Sequence, residues 1–194
     1  MGLNPLTWKL RSVVYILLMV LFYVLFIYKK VYHVAVEVTI PNTIPEYVWE
    51  FVADFSNMKT LNPTLEEFVI IDETGNLDHW KYTVRYKEHL SQISSIHNSA
   101  IAHFSVKRDG DEYLIDSDHQ TCFFEKNACF NTKSSFKFLE DGTSTRGIES
   151  IDYECPMIFS SFCHKEVMYQ RNEIMNGLQR HFQKFHDIQT QKHY

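Results

Sequence analysis

The chain has 194 residues, 45% of them hydrophobic and 22% charged, with a formal net charge of −5. That is the profile of a globular protein with room for a real core. The first thirty residues hold four basic and no acidic side chains, so 15 basic face 24 acidic in the rest, a net −9. This excludes an electrostatic nucleic-acid binder and a domain held to anionic lipid by charge.

From Ser12 to Tyr28, "SVVYILLMVLFYVLFIY", 17 residues pass without a charge, glycine or proline. At about 1.5 Å per residue they span about 25 Å, the short end of a membrane-crossing helix. That length suits a thin bilayer such as the endoplasmic reticulum. Lys9 and Arg11 precede the stretch, Lys29 and Lys30 follow it, and Trp8, Tyr28 and Tyr32 are interfacial residue types near its ends. The following "FIYKKVYHVAVEV" lacks the small-residue pattern of a signal-peptidase site. Residues 1–30 are therefore expected to form a retained single-pass anchor, with a domain at 31–188 and a tail at 189–194.

Within the domain, "VAVEVTI" (34–40) alternates as a strand. Thr43 and Glu46 are spaced as a capping box, with Pro45 in the first turn. Ile44, Val48, Phe51, Val52 and Phe55 then share one helical face. Ser56 or Asn57 is expected to cap a second short helix, "NMKTL", which Pro63 stops by disfavouring helix at Asn62. After Pro63 the period changes from 3.6 to 2. Six strands follow: "TLEEFVIID", "HWKYTVRYK", "AIAHFSVKR", "EYLIDSDHQT", "CFNTKSSFKFL" and "STRGIESIDYE", joined by turns that imply an antiparallel meander. From Pro156 to about Asp187 the helical period returns through Val167, Met168, Ile174, Met175, Leu178, Phe182 and Phe185.

This order predicts an α+β helix-grip fold: a curved seven-stranded antiparallel sheet around a long C-terminal helix, with two short helices after the first strand. The segment "PEYVWEFVADFSNMKTLNP" resembles the helix pair of the START and Bet v 1-like (SRPBCC, polyketide cyclase/lipid-transport) superfamily. Pro45, Val48, Trp49, Phe51, Asp54, Phe55, Asn62 and Pro63 match its pattern, and Leu61 departs where the family commonly has Trp. The resemblance covers about residues 34–187. It implies the fold, and a superfamily of lipid carriers, receptors, cochaperones and a few enzymes.

No G-x-S-x-G, H-E-x-x-H, G-x-x-x-x-G-K or G-x-G-x-x-G motif is present. No metal site and no cofactor are expected. His181 and His186 are five apart, which reads as two exposed side chains. In "DSDH" (116–119) the alternation puts Asp116 and Asp118 on the solvent side. The four cysteines lack C-x-x-C spacing, and Cys122/Cys129 and Cys155/Cys163 are close enough in sequence to pair in an oxidising lumen. There is no N-x-S/T sequon, so a cytosolic domain with four free thiols is expected.

The expected ligand-binding face combines Trp80, Tyr82, Val84 and Tyr86 with Phe130, Thr132, Ser134 and Phe136, walled by Met168 and Met175. A mostly apolar surface with a few hydroxyls is the usual form of a small-molecule site. Arg171 interrupts the apolar stripe of the last helix. It either snorkels to water or enters the cavity to meet Glu149 or an anionic head group. "CPMIFSSFC" (155–163) is either a buried helix start or a lip that touches the bilayer. The leading expectation is a membrane-anchored binder or carrier of a hydrophobic small molecule (lipid, sterol or isoprenoid), with the bilayer as partner and no nucleic acid. The alternatives are a cyclase or hydrolase using Tyr82, His119 or Glu149 as acid or base, and a non-catalytic interaction module with a filled core.

Overall fold

The computed structural model describes residues 5–76, 79–110, 112–124 and 127–191, with side chains from residue 10 to 184. The expectations for the side chains of Trp8, Lys9, Phe185 and His186, and for residues 192–194 of the tail, lie outside this description. Helix α1 (Pro5–Phe22) continues through a π-helical turn, Tyr23–Ile27, into strand β1 (Lys29–Pro41). Within it, Leu10–Ile27 is long and apolar enough to cross a membrane, and none of that window is buried. The strand begins five residues earlier than its alternation suggested, because Lys29–His33 pair with Asp152–Pro156 in register.

Helix α2 (Pro45–Ala53), a 3-10 turn (Phe55–Asn57) and helix α3 (Met58–Leu61) follow. The expected capping box does not form. Thr43 Oγ1 donates back to Ile40 O (2.8 Å), and Glu46 accepts from Arg108 Nη1 (2.5 Å), so α2 starts at Ile44 without a side-chain cap. Asp54 caps the 3-10 turn by accepting from Ser56 N, and Asn57 holds the N-cap position of α3, as expected, but without a side-chain cap bond. Asn57 instead donates to Phe51 O.

Strands β2 (Leu65–Gly75), β3 (His79–His89), β4 (His97–Asp109), β5 (Glu112–Phe123), β6 (Ala128–Asp141) and β7 (Ser144–Pro156) form the meander. With β1 they make a seven-stranded antiparallel sheet in the order β1-β7-β6-β5-β4-β3-β2. A 3-10 turn, Met157–Phe159, leads into helix α4 (Ser160–Gln191), whose Ile174, Met175 and Leu178 are buried against the concave face. Sheet residues of one parity, such as Val84, Ala102, Ile115, Phe138 and Ile151, face this helix. This is the helix-grip architecture.

Gly177 sets how closely α3 rides on α4: a Cβ there would lie 2.9 Å from Leu61 Cδ2 and 3.4 Å from Leu61 Cα. A tryptophan at position 61 would need space that this contact does not leave.

The cysteine expectation is overturned. Cys122 is bonded to Cys129 and Cys155 to Cys163, and no described cysteine is free. The reason is register. Cys122 and Cys129 are directly opposed across the β5–β6 hairpin, and Cys163 sits in the first turns of α4 beside the end of β7. His181 is not an exposed residue either. Its ring stacks on Phe51 at 4.0 Å and is half-buried between α4 and α2.

Candidate functional site

The short helices and α4 close over the sheet around a chamber of about 70 Å³. Its apolar wall comes from Phe55, Met58, Leu65, Phe104, Ile115, Phe136 and Ile174. Its polar wall is a cluster of Asn62, Tyr86, Glu88, Ser117, His119, Ser134, Glu149 and Arg171. The phenylalanines sit around Phe55, whose ring lies 5.2–5.6 Å from Phe68, Tyr86 and Phe104.

Arg171 enters the chamber rather than snorkelling to water. Its Nη1 donates to Glu149 Oε1 (2.9 Å), and the same oxygen accepts from Ser134 Oγ (2.7 Å). Glu149 is only 3% exposed, and its Oε2 has no hydrogen-bond partner among the described residues. A buried acceptor of this kind is costly unless something donates to it. Burial alone would pull the Arg171 guanidinium down, but Glu149, Glu88 and Tyr86 more than reverse this and keep it charged.

Asn62 gives the Asn-Pro pair a second role. Besides ending α3, it accepts from Thr64 N and Thr64 Oγ1 and donates Nδ2 to Glu88 Oε1 at 2.9 Å. Burial pushes the Glu88 carboxyl up to about 7, against the pull of Arg171 and the Asn62 hydrogen bond. Across the chamber Tyr86 Oη lies 2.8 Å from His119 Nδ1, and His119 Nε2 lies 2.8 Å from Ser117 Oγ. Burial, with Arg171 second, lowers His119 to about 3, so the imidazole is neutral, a donor at one nitrogen and an acceptor at the other. The chamber thus brings together a carboxyl that titrates near neutrality, a neutral imidazole and a phenol.

Of the residues expected from sequence, Tyr86, Ser134, Phe136 and Arg171 line this chamber. Val84, Tyr82 and Met175 are buried in the core around it. Tyr82 is structural, its hydroxyl donating to Ala53 O (2.8 Å) at the end of α2. Trp80 lies on a separate cleft with Glu46, Glu50 and Glu73. Phe130 packs towards Phe123, with Lys29 Nζ 5.3 Å from its ring, and Thr132 is opposite His119 and Tyr153 in the sheet. Met168 belongs to a second cluster with Val34, Ile151 and Tyr153. His119 and Glu149, the acid–base candidates, line the chamber too, whereas Glu88, Ser117 and Phe104 were not expected and Asn62 was expected only as a helix stop. Glu88 had a signal, since it continues the parity of Trp80, Tyr82, Val84 and Tyr86. Ser117 and His119 likewise continue Tyr113 and Ile115. Among the described residues no three histidines, cysteines or carboxylates converge as metal ligands.

No protein-family model and no curated protein matches the chain. Solved structures do match. A protein of Thermus thermophilus superposes with a TM-score of 0.59 at 16% identity, over 79% of this chain and 98% of that one. A START superfamily protein from Mycobacterium smegmatis gives 0.54 at 14%, over 80% and 98%. The di-domain ARO/CYC StfQ of the steffimycin biosynthetic pathway gives 0.55 at 10%, over 76% of this chain and 45% of that one. At these identities the likeness is one of fold, and it places the chain's architecture with the START-type helix-grip proteins.

Proposed function

We propose that this chain is a membrane-tethered binder of a hydrophobic small molecule that carries a polar group, a lipid, sterol or isoprenoid by chemical class. The observation that carries it is the chamber's division. Apolar rings line one side, and the other side is a buried polar cluster with an unpartnered carboxylate oxygen, Glu149 Oε2. As closed, about 70 Å³ holds a polar head or a short apolar segment and not a whole lipid, so a larger ligand enters by lifting α2 and α3 from α4. Residues 1–28 supply the tether, and the domain proper begins with β1 at Lys29. The two disulfides favour an oxidising compartment for the domain, the lumen in the case of the endoplasmic reticulum.

Native mass spectrometry of full-length protein, with extraction of whatever co-purifies, tests the reading. One stoichiometric apolar ligand is the expected result. Its absence, together with no thermal stabilisation by any added lipid, returns the chain to a filled-core interaction module.

A second reading has its own support. Glu88 at about 7 beside the neutral His119 and Tyr86 is acid–base equipment. StfQ, which shares the fold, belongs to a biosynthetic pathway. Turnover of the extracted ligand by wild type, and its loss in Glu88→Gln, would favour an enzyme over a carrier.

A further inference from the structure

We propose that the end of the sheet next to α1 is a second membrane contact, an apolar foot that sets the domain down on the bilayer surface. The inference rests on the tether reading and goes beyond it, since a tether alone leaves the domain free in water. Strand direction carries the argument. β1 leaves the anchor at Lys29, so the end of the sheet where β3 finishes, β5 finishes and β7 finishes is the anchor's end. The β3–β4, β5–β6 and β7–α4 connections there expose large apolar side chains. Ile93 in the β3–β4 loop is 43% exposed, and Phe124 in the β5–β6 turn is 67% exposed. Met157, Ile158 and Phe159 between β7 and α4 are 40%, 48% and 50% exposed. The π-helical turn Tyr23–Ile27 touches both β7 and the Met157–Phe159 turn, so Met157, Ile158 and Phe159 continue the apolar surface of the membrane helix.

Three independent fastenings hold the loops in place. Cys122–Cys129 closes the β5–β6 hairpin and Cys155–Cys163 ties the end of β7 to α4. Glu166 on α4 accepts from Ser91 N (2.9 Å) and Ser91 Oγ (2.6 Å), which pins the β3–β4 loop. Exposed aromatic and aliphatic side chains on braced loops insert at little entropic cost, and interfacial binding grows with the apolar area buried. Lys29 lies beside this end, its Nζ donating to Cys129 O (2.5 Å), where a lysine reaches the headgroup level. A neutral bilayer is the fitting occupant. The domain's net −9 disfavours both anionic lipid and a second copy of itself.

The test uses the full-length chain in phosphatidylcholine liposomes with brominated or unbrominated acyl chains, which quench tryptophan only on contact. Phe124→Trp and Phe159→Trp report on the foot, and Tyr47→Trp reports on the opposite end of the sheet. The signal of the unmutated chain, from Trp8, Trp49 and Trp80, is subtracted. At least twofold quenching of the added fluorescence at 124 and at 159, with none at 47, is expected. Equal fluorescence in the two lipids at either foot position overturns the proposal. So does cross-linking of unquenched foot residues between two copies. A chain that fails to float with the liposomes at all refutes the tether itself, a separate outcome.

Discussion

Arg171→Leu puts the chamber's electrostatics to a quantitative test. In the wild type Glu149, 3% exposed, is held by Arg171 Nη1 at 2.9 Å and by Ser134 Oγ at 2.7 Å. Leucine leaves a buried carboxylate with one hydroxyl donor, and breaking a buried pair in this way costs about 3–5 kcal/mol. For a domain of this size about 1 kcal/mol moves Tm by about 2–4 °C, so a fall of about 6–20 °C is expected. The double variant Arg171→Leu/Glu149→Leu removes both charges, and apolar replacement of a whole pair is often neutral or stabilising. It should therefore recover most of the loss. Thermal unfolding of the full-length protein in detergent, followed through the buried Trp49, measures all three species. If Arg171→Leu melts within about 1 kcal/mol of wild type, or the double variant melts as low as the single, the ion pair is not what holds this wall. Arg171 would then behave as a surface arginine.

The remaining expectations concern titration, cysteines and packing. Glu88 is raised from 4.5 to about 7, so its contribution is complete below pH 4.5 and lost as pH rises through 7, worth about 3 kcal/mol. His119 is lowered from 6.5 to about 3, so its contribution is complete above pH 6.5 and lost as pH falls through 3, opposing Glu88 between pH 4.5 and 6.5. Urea midpoints for Glu88→Gln should therefore rise more steeply than wild type from pH 4.5 to 6.5, and parallel curves would refute the assignment. Protein from cells, denatured without reductant, should show no free thiols, and reduction should cost about 2.5 kcal/mol per bridge for loops of this length. Four labelled thiols would restore the cytosolic domain. Gly177→Ala should lose about 1–3 kcal/mol despite its better helix propensity, because its methyl meets Leu61 at 2.9 Å; a gain in Tm would show that α3 yields freely.

The fold was legible because each level of the sequence agreed. The change of period at Pro63, the turn residues between strands and the return of the helical period near residue 156 point to one architecture. Local caps were less legible. Thr43 and Glu46 have the spacing of a capping box, yet Thr43 bonds back to Ile40 O and Glu46 to the distant Arg108. The cysteines failed for a related reason. Their spacing offered the two pairs that form, but the missing sequon pointed to free thiols, and only register shows Cys122 directly opposite Cys129.

The site was half legible, and the missing half has a common cause. Apolar alternation marks the inward face of a strand, and attention then rests on its hydrophobic members. The informative residues are the polar ones of the same parity: Glu88 after Tyr86 and Ser117 after Ile115, which join His119 and Glu149, already candidates from the sequence. An isolated carboxylate on a buried face is expensive, and one alone could be read as an edge residue reaching water. Two carboxylates and an imidazole on strand faces that all turn towards the helix bearing Arg171 are different. No single strand shows this convergence, because it depends on the sheet order that sets β3, β5, β6 and β7 around α4. Asn62 shows the same dependence. Beside Pro63 it reads as a helix stop, and only the pairing of the α3–β2 connection with the end of β3 brings its amide to Glu88, so one residue closes the roof and holds the carboxyl beneath it.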